Sequence, residues 1–152
     1  MDGAPYVAVV GPGDASAAQI DAAERVGREL ARAGAVVVCG GLGGVMAAAC
    51  RGAAGAGGTT VAILPGNERG AANEWAQIVI PTGMGEMRNA LVVRAAEAVI
   101  AIGGAYGTLS EVALALKTGV PVVGLQTWPI EGIVVASSAE EAVSRALSLA
   151  GP

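Results

Sequence analysis

The chain has 152 residues, 53% of them hydrophobic and 14% charged, with a formal net charge of −4. That length supports one domain over residues 1–152. The negative balance and the four aromatic residues (Tyr6, Trp75, Tyr106 and Trp128) argue against a nucleic-acid partner, which needs a basic surface or stacking platforms. There is no histidine, which excludes Ser-His-Asp triads, histidine metal sites and imidazole acid–base chemistry.

Strand and helix patterns alternate from end to end. Tyr6–Val10 reads as a first strand and ends in the turn GPGDAS, with Gly11 and Gly13. Ser16 and Gln19 form a capping box for a helix running to about Ala33, with Ile20, Ala23, Val26 and Leu30 on its inner face. Ala35–Cys39 is the second strand, followed by a glycine turn at 40–44 and a helix of very small residues. Thr60–Leu64 is the third strand. Residues 65–76 are irregular or weakly helical, and Gln77–Ile80 is the fourth strand.

A helix starting near Gly85 leads to the strand Ala98–Ile102. The sequence GGAYGT and a helix over Thr108–Thr118 come next. Strands at Pro121–Gly124 and Ile133–Val135 precede a last helix near 138–149, whose Ser138 and Glu141 make another capping box. Such alternation predicts an α/β fold: a doubly wound, Rossmann-like domain with a mostly parallel sheet flanked by helices. In such sheets ligands bind beyond the carboxyl ends of the strands, near the switch in strand order. The turns at 11–13, 40–44 and 103–107 should gather there.

No apolar run approaches the roughly 18 residues that a membrane span needs, and no secretory leader is evident. The expected address is the cytoplasm. Cys39 and Cys50 are expected to remain buried thiols. The only lysine, Lys117, lies near a helix end with nothing resembling a pyridoxal pocket around it. Bond making or breaking would therefore fall to carboxylates and arginines, with no metal site and no resident cofactor.

The GGAYGT turn carries the functional signal. Glycines let backbone N–H groups approach an anion, and the helix that follows adds unpaired donors and a positive dipole end. The candidate ligand residues are Gly11, Gly13, Gly40, Gly41, Gly43, Gly103, Gly104, Ala105, Tyr106, Gly107 and Thr108. A plain strand-to-helix turn is the competing reading. Arg88 sits at the end of an apolar stripe (Leu91, Val92, Ala95), so it needs an anionic partner or a route to water. For Glu111 the simpler reading is a capping box with Thr108, lying off a buried stripe of Leu109, Val112, Ala113 and Leu116. The alternative places its carboxylate at the mouth of an anion site. Asn67, Glu68, Arg69, Asn73 and Glu74 are solvated loop residues or border the cleft.

Arg88 followed by 103-GGAYGTLSE-111 resembles the signature of the Lonely Guy (LOG) proteins, R-K and then PGGxGTxxE. The CGG-x-GGVM, TGMGEMRN and IGG-x-YGTLSE segments are similar to the short branch that includes the molybdenum-cofactor carrier proteins. LOG enzymes cleave the N-glycosidic bond of cytokinin riboside 5′-monophosphates. The resemblance thus implies a phosphate held by residues 103–108, a nucleotide oriented by Arg88, and Glu111 acting on ribose or water as a positive centre develops. Asn89 stands where LOG proteins have lysine, Gly103 replaces their proline, and Ala105 replaces a glycine. These departures imply the alternative, a non-catalytic carrier or sensor of molybdenum cofactor or a nucleotide. The sequence reading leans to a phosphate-anchored, nucleotide-like ligand with phosphoribohydrolase activity undecided. The resemblance also implies a homodimer or higher homo-oligomer.

Overall fold

The computed structural model describes residues 3–151. β1 (Tyr6–Val10) leads to α1 (Ala17–Arg32), β2 (Val36–Cys39) to α2 (Val45–Gly55), and β3 (Thr60–Leu64) through a 3₁₀ turn at Arg69–Ala71 to β4 (Ile78–Pro81). A 3₁₀ turn at Gly85–Arg88 runs into α3 (Asn89–Arg94), β5 (Ala98–Ile102) and α4 (Tyr106–Lys117). β6 (Val122–Leu125), β7 (Val134–Val135) and α5 (Ala139–Leu149) complete the order. The strands form one sheet in the order β4-β3-β2-β1-β5-β6-β7, and each pairing is parallel. None of the described helices is long and apolar enough to cross a membrane.

Alternation along each strand divides the core. Val7, Val9, Val37, Ile100 and Val123 face α1, α2 and α5, whereas Ala8, Val10, Val38, Val99 and Ala101 face α3 and α4. Both faces are covered, which is why the inner strands read as unbroken apolar runs. Small side chains let the layers approach closely. On α1 and α2 the approach is backbone to backbone: a Cβ on Gly27 would lie 2.8 Å from the carbonyl carbon of Ala49, and one on Gly52 3.0 Å from the amide nitrogen of Arg28.

The Ser16–Gln19 capping box forms: Gln19 N donates to Ser16 Oγ at 3.2 Å, and Ser16 N donates to Gln19 Oε1 at 3.0 Å. At α5 only half of the expected box is present. Glu141 N donates to Ser138 Oγ at 3.1 Å, but the Glu141 carboxylate turns to Ser137, taking its N–H and its hydroxyl. The helix expected from Gly85 is split into the 3₁₀ turn and α3. α4 begins at Tyr106, two residues ahead of Thr108, with its start fixed from outside: Trp128 Nε1 donates to the Ala105 carbonyl at 3.2 Å. The face that α4 buries differs from the expected stripe. Its buried face is Thr108, Glu111, Val112 and Ala115, while Leu109 and Leu116 are half-buried and Ala113 is exposed.

Candidate functional site

β1 has β2 on one side and β5 on the other, so the connections leaving β1 and β5 diverge and open a cleft at the carboxyl edge. It measures about 200 Å³. Gly11 keeps its rear wall tight, since a Cβ there would lie 2.5 Å from the Ile102 carbonyl oxygen and 2.6 Å from Val45 Cγ1. Val45 N donates to the Pro12 carbonyl at 3.1 Å, which ties the start of α2 to the first turn.

Of the residues expected in this site, Gly11, Gly13, Gly40, Arg88, Ala105, Gly107, Thr108 and Glu111 line the cleft. Five others do not. Gly41, at φ +83°, packs on Leu64 and Ala62, and its carbonyl accepts from Asn73 N at 2.9 Å. Gly43 is exposed outside the cleft. Gly103, at φ +73°, is buried and donates its N–H to the Leu125 carbonyl at 3.2 Å, extending the strand ladder. Gly104 lies against the Trp128 indole. Tyr106 points outward, 84% exposed, and stacks on Trp128 with 6.3 Å between ring centroids. A turn of this tightness can aim only some of its residues at one side, and here the α4 first turn supplies them. Among the loop residues, Asn73 holds the second turn through the Gly41 and Leu42 carbonyls, and the exposed Asn67, Glu68, Arg69 and Glu74 lie away from the cleft lining.

Arg88 is 8% exposed, so it does not snorkel. Its Nε donates to the Ile63 carbonyl at 2.9 Å, Nη2 to the Gly40 carbonyl at 3.4 Å, and Nη1 to Asn89 Oδ1. These acceptors are neutral. No carboxylate among the described residues lies within ion-pair distance. Three of its five N–H groups are thereby used, and two remain for a ligand. Gly40 makes room for the guanidinium, since a Cβ there would lie 2.8 Å from Arg88 Nη2.

The capping-box reading of Glu111 fails. The N-cap of α4 is Ala105, whose side chain caps nothing, so no side-chain cap takes the first-turn N–H groups, and Ala105, Gly107 and Thr108 line the cleft. Glu111 is 8% exposed and hydrogen-bonds to no described residue, because the helix starts too early for Thr108 to be its cap partner. Burial pushes its carboxyl up to about 7, with Arg88 pulling in the opposite direction. Thr108, 2% exposed, carries a buried hydroxyl without a partner.

Asn89 is the cleft residue whose contribution sequence reasoning missed. It is buried, accepts from Arg88, and donates through Nδ2 to Ser110 Oγ at 3.0 Å; Ser110 Oγ in turn donates to the Gly107 carbonyl at 2.7 Å. The chain of bonds fixes the arginine relative to the start of α4. A polar residue amid the apolar positions of a short helix was the available signal. Beneath the cleft Cys39 and Cys50 are free buried thiols with sulfurs 3.5 Å apart, as expected.

The model of the SLOG cluster4 family matches residues 4–150. An uncharacterized protein of Archaeoglobus fulgidus is 43% identical over 143 residues, covering 93% of this chain and 94% of that one. The molybdenum cofactor binding protein of the phototrophic bacterium Rippkaea orientalis superposes with a TM-score of 0.92 at 34% identity, over 97% of this chain and 98% of the other. A Moco carrier protein from Chlamydomonas reinhardtii gives 0.88 at 34% identity, over 96% and 97%. The parallel sheet, the cleft at its switch point and these matches agree: the chain belongs to the SLOG cluster4 family, with the LOG-like fold of the molybdenum-cofactor carriers.

Proposed function

We propose that the chain binds a phosphorylated pterin of the molybdenum-cofactor type in this cleft and carries it without converting it. The observation that carries the reading is Arg88, a buried cation with no described ion-pair partner, beside an uncapped helix start. A buried charge left unpaired is costly, so the cleft is built for an anion. The likeness to a cofactor-binding and a carrier protein supports the choice of pterin over nucleotide. Asn89 supports carriage over cleavage, because it spends its polar atoms holding Arg88 and adds no charge of its own.

Molybdenum cofactor freshly released from a molybdoenzyme should stay with the protein through gel filtration and then activate a cofactor-free apoenzyme. Arg88→Met should weaken retention by at least about 30-fold, since truncating one side of a buried charged contact costs roughly 2 kcal/mol or more. A wild-type protein that retains no cofactor ends this reading. The second reading, hydrolysis of a nucleoside monophosphate, is favoured by Glu111 alone. Free base released from AMP and lost in Glu111→Gln would establish it.

Gly107 offers a milder probe. A Cβ there would meet no atom within 4 Å, so packing gives no reason for glycine at this position. Gly107→Ala should melt no lower than the wild type yet bind cofactor about tenfold more weakly, because the methyl group occupies space where the anion approaches the backbone. Equal affinity would place the anion elsewhere.

A further inference from the structure

Holding an anion accounts for Arg88 and the α4 start but leaves Glu111 without a role. Its carboxyl shares the cleft with them, buried and without a hydrogen-bond donor among the described residues. Thr108, one turn earlier on the same helix face, is likewise unpartnered and more than nine-tenths buried. Two adjacent polar side chains without partners mark where ligand atoms belong.

We propose that Glu111 joins the complex as a neutral carboxylic acid and donates a hydrogen bond to the bound anion, so that anion binding and proton uptake are a single event. The inference rests on the anion-holding reading of the cleft, though not on the anion being a pterin.

Side chains on a helix lean toward its N-terminus, so the Glu111 carboxyl leans back over Gly107 and Thr108. Four residues of helix separate Gly107 from Glu111, about 6 Å along the axis. At that separation and an effective dielectric near 20, one negative charge raises a carboxyl pKa by about two pH units. Burial already pushes Glu111 up to about 7. Arg88 opposes the rise but is present in both states, and the anion competes for its charge.

Among the described residues the other titratable group near Glu111 is the Cys39 thiol at the end of β2, which its bond to Cys50 and then burial hold well above its usual range and therefore neutral. β1 presents only Val9 and Val10 to the cleft, and α2 presents Met46. Among the described residues that line the cleft, Glu111 is the only carboxylate, so the extra negative charge comes with the ligand. Only the acid form of a carboxyl donates a hydrogen bond. A neutral Glu111 carries no charge with which to stabilise a developing glycosyl cation, so the same event that binds the ligand removes that contribution to cleavage.

Sulfate is the probe, because it stays doubly charged across the pH range in which phosphate itself titrates. Carbon-13 NMR of labelled glutamate, with the Glu111 signal assigned from Glu111→Gln, gives its pKa with and without saturating sulfate, while the Gly107 and Thr108 amides report occupancy. The expected result is shifted amides and a pKa higher by at least about one pH unit. Shifted amides with an unchanged or lowered pKa would overturn the proposal and leave the anion site standing. Unshifted amides at saturating sulfate would overturn both. By reciprocity, wild-type affinity should fall about tenfold from pH 6 to pH 8. Glu111→Gln should bind about tenfold more tightly than wild type at pH 8 and lose the pH dependence. A pH dependence that survives in Glu111→Gln would overturn Glu111 as the proton acceptor.

Discussion

Glu111→Gln is expected to raise the unfolding free energy of the ligand-free protein by about 3 kcal/mol at about pH 8, and to change it little near pH 4. Burial lifts the Glu111 carboxyl from an ordinary 4.5 to about 7 in the folded chain. Between those values the folded state holds a proton that the unfolded state has released. Stability is therefore lost as pH rises through that window, and above it the penalty is constant. Glutamine has the same shape and never ionises, so it escapes the loss. Urea unfolding of both proteins at the two pH values checks the sign. A variant less stable than wild type at pH 8 would mean that the carboxylate has a partner when ionised. A gain there would mean that the native residue is retained at the expense of stability, as binding residues often are.

Gly52→Ala and Gly27→Ala are expected to cost about 3 kcal/mol or more each, among the largest effects of a single methyl group in this fold. The α1 and α2 backbones meet at these residues. A Cβ on Gly52 runs into the Glu24 carbonyl group, its carbon 2.8 Å away, and one on Gly27 into that of Ala49. Main chain cannot rotate aside as a side chain does, so the helices must separate and give up the packing beneath them. Gly55, exposed at the end of α2 with nothing within 4 Å of its Cβ position, is the control. Gly55→Ala should stabilise by about 0.5 kcal/mol through helix propensity. Chemical denaturation of the three variants distinguishes close approach from propensity. Similar losses at all three positions would exclude the backbone contact as the cause.

Much of this architecture is legible in the chain because its signals are local. Val7–Val10 and Val99–Ile102 read as buried strands because both of their faces are covered, and Ser16 with Gln19 starts α1 by a bond between neighbours. The meeting of Arg88 with Glu111 was accessible by a different route, through strand order: turns after parallel strands share one edge. What escaped was set by distant contacts. The α4 start depends on Trp128, some twenty residues later, and this converts an apparent Thr108–Glu111 cap into two buried groups facing a cleft. Gly27 and Gly52 look like weak points in helices until the partner helix is in place. Asn89 reads as the absence of a lysine, whereas in the fold it is a bridge whose other end, Ser110, belongs to another helix.

The cleft draws its wall from residues 9–13, from Gly40 and Met46, from Arg88 and Asn89, and from the start of α4 with Glu111, four stretches that no short fragment contains. Its occupant would touch the ends of β1 and β2 and the start of α4 together, so the complete site exists only in a chain whose sheet has assembled. Loading would then favour chains in which all four stretches are assembled, since a ligand that binds only the native state stabilises it. Occupancy should slow amide exchange in concert across strands far apart in sequence, rather than at one loop.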